Sequence, residues 1–192
     1  IDDNHYYLEE NNLTLDWINE VDYNGHIMMV PMGSSLTAMN NGNIFWRRNT
    51  VNYVGQLWDS SSAKPTAKTI KQLAFKFLNT TYLWGGRSVF GIDCSGFTQL
   101  VYKFLNIHLL RDAQQQATQG ELIEFLQQAH CGDLAFFDNE EGQIIHVGIL
   151  LNANEIIHAS GKVRIDKIDT NGIINADTGL RTQKLRIIRR YL

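Results

Sequence analysis

The chain has 192 residues, of which 44% are hydrophobic and 19% are charged, and its formal net charge is −3. This composition is sufficient for a buried core, either in one large domain or in a moderate domain with a small companion. The acidic balance argues against nucleic acid as a partner, which would need a concentrated basic face. The sequence also contains no apolar run of the roughly 18 to 20 residues that a membrane helix requires.

From residue 1 to about 60 the sequence consists of short segments separated by turns. Examples are the Tyr-Asn-Gly turn at residues 23–25 and the turn-like residues 40–43. Residues 26–30 and 52–58 are strand-like, and strands spaced in this way are typical of a small barrel or sandwich.

The stretch DSSSAKP at residues 59–65 has the composition of a linker. We therefore predict a domain boundary near residue 62. The all-β domain covers residues 1–62, and a second domain covers residues 63–192.

The second domain begins with two stretches whose apolar residues recur at the i, i+3, i+4 spacing of one helix face. The first helix is predicted to open at Pro65 and Thr66, and the second near Cys94. The apolar positions of the first are Ile70, Leu73, Ala74, Phe77 and Leu78. Those of the second are Phe97, Leu100, Val101, Phe104 and Leu105. A shorter helix is predicted over residues 112–118, and another helical turn or two over residues 121–128.

Beyond Gly132 the pattern changes from helical to strand-like. The predicted strands are residues 133–138, 143–151, 154–160, 162–168 and 185–192. Helices followed by strands predict an α+β domain in which helices pack on an antiparallel sheet. We interpret the basic cluster near the end of the chain as a solvated strand edge, where charges oppose aggregation. Its members are Arg181, Lys184, Arg186, Arg189 and Arg190.

Two cysteines, Cys94 and Cys131, are too few for a disulfide framework, and the cysteine and histidine spacings do not indicate zinc. Cys94 opens the predicted second helix, where unpaired N–H groups and the helix dipole favour an anion. Such a position lowers the pKa of a thiol, and the thiolate is the nucleophilic form. Asp93 is placed to cap the helix, and Gly96 leaves room beside the sulfur. The alternative is a buried structural thiol.

A cysteine nucleophile needs a base within hydrogen-bonding reach. Two of the six histidines, His146 and His158, lie within apolar strand patterns on either side of a turn at residues 152–154. If the numbers of two opposite residues in this hairpin sum to an even value, the His146 and His158 side chains point to one face of the sheet. They are then direct or diagonal neighbours. Each could instead be an ordinary core residue. A zinc site would lack a fourth ligand, so we favour attack by Cys94, proton transfer by His146 and orientation of His146 by His158.

A series of short motifs carries a resemblance to a known family. In chain order they are Tyr82, Trp84, Gly85 and Gly86; Asp93-Cys94-Ser95-Gly96; Arg111-Asp112-Ala113; Gly132-Asp133-Leu134 with Phe136 and Phe137; His146-Val147-Gly148-Ile149; and His158-Ala159-Ser160-Gly161. In this order and spacing, residues 64–192 resemble the NlpC-type cell-wall cysteine peptidases. The resemblance implies a papain-like α+β fold and amide hydrolysis in peptidoglycan peptides through a thioester acyl-enzyme. The usual bond joins γ-D-glutamate to a diamino acid such as meso-diaminopimelate.

The resemblance also implies roles for individual residues. Cys94 matches the nucleophile, His146 the base and His158 the polar third member. Tyr82 matches a tyrosine that helps to shape the oxyanion region, and Trp84 matches a residue that lines the substrate cleft.

Three further residues match positions around the nucleophile. Asp93 and Ser95 correspond to residues that contact the peptide, and Asp93 can also serve as the helix cap. Arg111 is either a structural ion-pair partner or a contact at the rim of the cleft. Leu110 departs from the family, in which many relatives carry Pro. Cys131 matches no functional position, and we interpret it as a buried thiol before a strand.

The N-terminal part resembles the bacterial SH3-like barrels that are often attached to these peptidases. In relatives with that arrangement, the barrel can restrict the cleft to peptides with a free N-terminal L-alanine. The resemblance implies no metal or organic cofactor. The expected partners are peptidoglycan-derived peptides, without nucleic acid, and the expected state is a monomer.

Two other functions remain open. One is a non-catalytic module that binds cell-wall peptides, and the other is the same machinery acting on another amide or on an acyl ester. The location is open as well, because the chain starts at Ile1 with the acidic, polar residues 1–12, unlike a signal peptide. If a leader was removed, we expect the cell envelope, the periplasm or the extracellular space. The alternative is muropeptide recycling in the cytoplasm.

Overall fold

The computed structural model describes residues 11–36, 39–40, 43–46 and 49–192. Most of the acidic start of the chain, and the centre of the predicted turn at residues 40–43, lie outside the described residues. The chain divides into two compact units. The first ends at Ala63 and also includes Phe104–Asn106, and the second comprises Lys64–Lys103 and Ile107–Leu192.

The first unit is built from short antiparallel strands, as the turn-punctuated sequence predicts. They are β1 (Asn12–Thr14), β2 (Ile18–Tyr23), β3 (His26–Pro31), β4 (Met39–Asn40), β5 (Asn43–Trp46), β6 (Asn49–Tyr53) and β7 (Leu57–Asp59). Five of them form a sheet in the order β3-β2-β6-β5-β4, and β1 pairs with β7. Val21, Leu36 and Tyr53 are buried in its core. The single strand predicted over residues 52–58 is wrong, because residues 54–56 separate β6 from β7.

The second unit opens with α1 (Ala67–Phe75), which Thr66 caps by accepting a hydrogen bond from the Thr69 N–H. A two-stranded ladder of β8 (Arg87–Ser88) and β9 (Gly91–Ile92) precedes α2 (Cys94–Lys103). The short α3 (Ala113–Gln116) follows. The first two helices are confirmed where the apolar periodicity predicts them, although each ends before its last two predicted apolar positions. The short α3 covers only the middle of its predicted range.

The large sheet of the second unit contains seven strands. They are β10 (Glu121–Ile123), β11 (Leu134–Asp138), β12 (Ile144–Asn152), β13 (Glu155–Ser160), β14 (Lys162–Asp169), β15 (Gly172–Ile174) and β16 (Arg181–Arg190). Their order is β10-β16-β11-β12-β13-β14-β15, and β15 also pairs with β16. Strands β11 to β16 therefore close into a six-stranded barrel. Its interior includes Phe137, Leu150, Ile156, Ile168 and Ile188.

Two predictions about this sheet are wrong. Residues 121–128 were predicted as one or two helical turns, but Glu121–Ile123 forms strand β10 and only Leu126–Gln128 adopts a short 3₁₀ turn. The basic strand β16 is not an edge, because it pairs with β10, β11 and β15. Cross-strand partners could not be read from its local charge pattern. Its end arginines bind carboxylates, Arg181 with Asp169 at 2.6 Å and Arg190 with Asp133 at 2.7 Å.

Within the described ranges, no helix is both long enough and apolar enough to cross a membrane.

Candidate active site

Cys94 is the first residue of α2, where the sequence places it. The Asp93 carbonyl oxygen accepts the first helical hydrogen bond, from the Phe97 N–H at 2.9 Å. The Asp93 side chain caps the same end, since its Oδ1 accepts from the Gly96 N–H at 2.6 Å. The cap predicted for Asp93 is confirmed, and it holds the start of α2 in place.

The thiol of Cys94 is in a buried environment, with 7% of the residue exposed. Burial raises the pKa of this thiol, because the thiolate loses hydration. The backbone N–H of Val147 interacts with the sulfur and lowers the pKa, whereas the negative charge of Asp93 raises it. The net direction is upward, so the lowered thiol pKa expected from the helix N-terminus is wrong. Burial outweighs the favourable position on the helix.

His146 and His158 meet on one face of the sheet, as the sequence predicts. Gly148 on β12 pairs with His158 on β13, so the paired numbers sum to an even value and His146 is the diagonal neighbour. His146 Nε2 lies 2.8 Å from His158 Nδ1. A Cβ atom on Gly148 would come within 2.8 Å of the His158 Cβ, so the glycine leaves room for this ring.

The imidazole of His146 is buried, with 6% of the residue exposed. Burial, followed by the neighbouring His158, lowers the pKa of His146 well below its ordinary value. The ring is therefore neutral at neutral pH and can accept a proton. Val147, whose N–H interacts with the Cys94 sulfur, follows His146 directly on β12, so the base and this donor are neighbours on one strand.

A fourth group, which the sequence analysis missed, extends this arrangement. His158 Nε2 lies 3.0 Å from the Asp166 Oδ2, and Asp166 is 2% exposed. Arg164 pairs with the same carboxylate at 2.9 Å. A signal was available in the sequence, since Arg164 and Asp166 are two residues apart on a predicted strand and therefore share a face. The pairing of His158 with Arg164 across β13 and β14 decides that this face carries the histidines.

The structure brings Asp93, Ser95 and Arg111 together. Arg111 donates to both Asp93 oxygens, at 3.2 and 2.7 Å, and to the Ser95 hydroxyl at 2.9 Å. Asp93 also accepts from the Gly85 N–H and, at 3.3 Å, from the Ser95 hydroxyl. Burial opposes ionisation of Asp93, but these hydrogen bonds hold its pKa below the ordinary value. Arg111 is thus an ion-pair partner, and its side chain keeps 32% of its surface exposed.

Tyr82 and Trp84 differ in their surroundings. Burial raises the pKa of Tyr82, and the next contributions come from the Cys94 thiol and the Asp93 carboxylate, which places the phenol near the nucleophile. Trp84 is 84% exposed on the loop that leads to β8. Its indole is therefore available to a ligand.

Cys131 is half-buried and not fully buried as expected, and its thiol lies 3.7 Å from the Ala67 carbonyl oxygen. The residue lies in the turn before β11. In the part of the chain that the structure describes, no group of three or more His, Cys, Asp or Glu side chains is arranged to hold a metal ion.

Comparison with known proteins adds to this geometry. The γ-D-glutamyl-L-lysine dipeptidyl-peptidase of Bacillus subtilis (strain 168) is 42% identical over 101 residues, which cover 52% of this chain and 34% of the relative. The protein of the same name from Bacillus cereus (strain ATCC 10987 / NRS 248) is 33% identical over 173 residues, covering 84% of this chain and 50% of the relative. The chain thus spans half or less of the length of these relatives.

Among solved structures, the crystal structure of an NlpC/P60 family protein from Bacillus cereus ATCC 10987 matches with a TM-score of 0.75 at 23% identity. The match covers 96% of this chain and 65% of that chain. Residues 79–182, more than half of the sequence, match the sequence pattern of the NlpC/P60 family. The chain therefore belongs to the NlpC/P60 family, as its motifs predict.

Proposed function

We propose that the protein is a cysteine endopeptidase that hydrolyses the amide bond between γ-D-glutamate and a diamino acid in peptidoglycan peptides. The observation that carries this proposal is the buried thiol of Cys94 against the N–H of Val147, the residue that follows His146 on β12. His158 binds the His146 ring at 2.8 Å. The names of the two Bacillus relatives, both γ-D-glutamyl-L-lysine dipeptidyl-peptidases, support the same bond.

The proposed reaction begins with both groups neutral. His146 takes the proton of the Cys94 thiol as the sulfur attacks the γ-carbonyl carbon of D-glutamate. The negative oxygen of the tetrahedral intermediate accepts a hydrogen bond from the backbone N–H of Cys94 at the helix N-terminus, with the Tyr82 hydroxyl nearby. Protonated His146 then donates to the amine of the diamino acid as the C–N bond breaks.

The second half of the reaction resolves the thioester. His146 removes a proton from water, which attacks the same carbonyl carbon. The C–S bond breaks, His146 returns the proton to the sulfur, and the γ-carboxylate of D-glutamate is released. His158 binds His146 through both stages and keeps its ring in one orientation.

The residues proposed to bind substrate divide into an exposed and a supporting set. Trp84 is open to a ligand, and Arg111 can bind a carboxylate of the peptide through the part of its guanidinium that remains exposed. Asp93 and Ser95 are buried and already bonded to Arg111, so a substrate amine would have to displace this bond from Asp93. This arrangement favours Asp93 and Ser95 as supports of Arg111 and of the start of α2.

For the first unit we propose an SH3-like domain over residues 1–62, with the peptidase domain over residues 63–192. The five-stranded sheet of short strands supports this proposal. Because the proposed substrates derive from the cell wall, we propose that the protein acts as a monomer at the cell envelope, in the periplasm or outside the cell. Muropeptide recycling in the cytoplasm is the alternative.

The test is cleavage of L-Ala-γ-D-Glu-L-Lys and L-Ala-γ-D-Glu-meso-diaminopimelate, with products identified by mass spectrometry. We expect release of L-Ala-γ-D-Glu, and a loss of roughly 10⁴-fold or more in kcat on Cys94→Ala, because no other group can form the thioester. Cys131→Ala is the matched control, since it removes a half-buried thiol far along the chain from α2, and it should retain wild-type kcat.

A Cys94→Ala protein that still cleaved these peptides at the wild-type rate would rule out the proposal. Peptide binding without turnover by the wild-type chain would favour a binding module instead. Cleavage confined to other amides or to acyl esters would keep the machinery and change the substrate.

A further inference from the structure

We propose that Asp166 is a positioning residue for this hydrolysis, which fixes the ring tautomer of His158 and, through it, that of His146. The proposal rests on the proposed function, because it concerns the base of that reaction. Its structural part, the tautomer of two rings, holds or fails independently of any substrate.

The carboxylate of Asp166 is held from both sides. Oδ2 accepts from Arg164 Nε at 2.9 Å and lies 3.0 Å from His158 Nε2. Oδ1 accepts from Arg164 Nη2 at 2.9 Å and from the Ala176 N–H at 2.8 Å. Because Asp166 is 2% exposed, water does not compete for these positions. The orientation of the carboxylate toward His158 is therefore fixed by donors other than His158.

The carboxylate is also ionised. Burial alone would raise the pKa of Asp166, but the hydrogen bonds from His158, Arg164 and Ala176 outweigh it and lower the pKa far below the ordinary value. Arg164 pairs with Asp166 and, through its other terminal nitrogen, with Asp177 at 2.9 Å, so one guanidinium serves two carboxylates.

These contacts determine where the ring protons lie. An ionised carboxylate only accepts hydrogen bonds, so His158 must carry its proton on Nε2 to donate to Asp166. In the neutral ring, Nδ1 of His158 is then an acceptor. His146 Nε2, 2.8 Å away, must therefore be the donor. The nitrogen of His146 that is left unprotonated is Nδ1, so its lone pair is the one that is free to take the proton of the Cys94 thiol.

Replacement by asparagine disturbs this chain of donors, and it reverses the chain in one of the two orientations of the amide. Each oxygen position of Asp166 faces two donors, so the amide NH₂ of Asn would meet donors in either orientation. With the NH₂ toward His158, the ring must accept on Nε2 and donate from Nδ1, which forces His146 to carry its proton on Nδ1. That tautomer cannot take the thiol proton. The same change next to a catalytic histidine in a serine protease costs about 10⁴-fold, and here one more ring intervenes.

The experiment combines nuclear magnetic resonance with kinetics on the full chain. Two-bond ¹H–¹⁵N correlation spectra of ¹⁵N-histidine-labelled protein report the tautomer of each ring without substrate. For the wild type we expect the Nε2–H form of both His146 and His158. For Asp166→Asn we expect a shift toward the Nδ1–H forms, with kcat lower by roughly 10- to 100-fold and KM little changed.

Asp169→Asn is the matched control. Asp169 lies on the same strand and pairs with Arg181 at 2.6 Å, but it is exposed and does not contact either histidine. The Asp169→Asn protein should keep the wild-type tautomers of both histidines and the wild-type kcat. This result would show that loss of a carboxylate–arginine pair is not by itself enough to change them.

Three outcomes decide the proposal. A wild-type spectrum with His158 in the Nδ1–H form overturns it, even if Asp166→Asn fails to fold. A folded Asp166→Asn protein with unchanged tautomers and unchanged kcat also overturns it. If the tautomers shift as stated but no γ-D-glutamyl peptide is cleaved by the wild type, the role of Asp166 stands and the proposed function fails.

Discussion

Burial acts on Cys94 and His146 in opposite directions, raising the pKa of the thiol and lowering that of the imidazole. In each case the charged form loses hydration, so both groups favour the neutral state. The proposed nucleophile is therefore a thiol that transfers its proton to His146 during attack. A preformed thiolate–imidazolium pair is not required. This differs from the ionised sulfur expected from the position of Cys94 on α2.

The pH dependence of kcat/KM follows from these directions. Activity requires a neutral His146, and because its pKa is lowered, we expect the acid limb of the profile below the ordinary histidine value of 6.5. The raised pKa of Cys94 places ionisation of the thiol above the ordinary value of 9.0. The rate of thiol alkylation against pH, measured in a Cys131→Ala background, should show that higher value. An acid limb above 6.5 that coincides with thiol ionisation would contradict the neutral pair.

At the scale of elements, α3 illustrates a helix that cannot be stable alone. It has 4 residues, which is too short to form in isolation. Gln116, fully buried, anchors it by donating to the carbonyl oxygens of Ser95 at 3.1 Å and Leu110 at 2.9 Å. It also accepts from the Thr98 hydroxyl at 2.8 Å. One side chain thus joins α3 to α2 next to the proposed nucleophile.

We expect Gln116→Met, which keeps the side-chain shape, to lower the free energy of unfolding by about 2 to 4 kcal/mol. The reason is that the Leu110 carbonyl loses this partner, while the buried Ser95 carbonyl and Thr98 hydroxyl keep only the bond between them, at 2.9 Å. Urea unfolding followed by circular dichroism measures the change. Gln114→Met on the exposed side of α3 is the control, with an expected change within about 0.5 kcal/mol. Equal effects of the two substitutions would show that Gln116 is not the anchor.

At the scale of the whole molecule, the strands of each unit pair with strands of the same unit. In the second unit, the pairing of β15 with β16 closes the six-stranded barrel. Gly172, the first residue of β15, has φ +129°, and a Cβ atom there would lie 1.7 Å from the Gln183 carbonyl oxygen. The backbones of the two strands approach so closely that only glycine fits. This contact lies at the β15–β16 pairing, where the ring of six strands closes.

Gly172→Ala should therefore cost about 3 kcal/mol or more in unfolding free energy, because the methyl group meets backbone that cannot move without opening the β15–β16 pairing. Gly142→Ala is a matched control. Gly142 also has a positive φ, +78°, but an added Cβ meets nothing within 4 Å. Its cost should be about 1 kcal/mol, from the backbone conformation alone. Hydrogen exchange of the β15 amides would report loss of pairing, and similar costs at both positions would contradict a role in closure.

The sequence predicted the elements whose signals are local. The apolar spacing located α1 and α2, and the period of two placed His146 and His158 on one face, because side-chain direction in a helix or strand follows from residue number alone. It failed for residues 121–123, which were included in one or two predicted helical turns. There the pairing of β10 with the distant β16 overrides local propensity.

By itself, the sequence determined the family, the position of Cys94 at the start of a helix, and the shared face of the two histidines. Only the tertiary structure decided that burial raises the thiol pKa, that Asp166 and Arg164 lie behind His158, and that the arginine-rich strand β16 is flanked on both sides. The physical reason is that helix and strand periodicity are properties of neighbouring residues. Desolvation and hydrogen-bond partners depend instead on which distant segments the folded chain brings together.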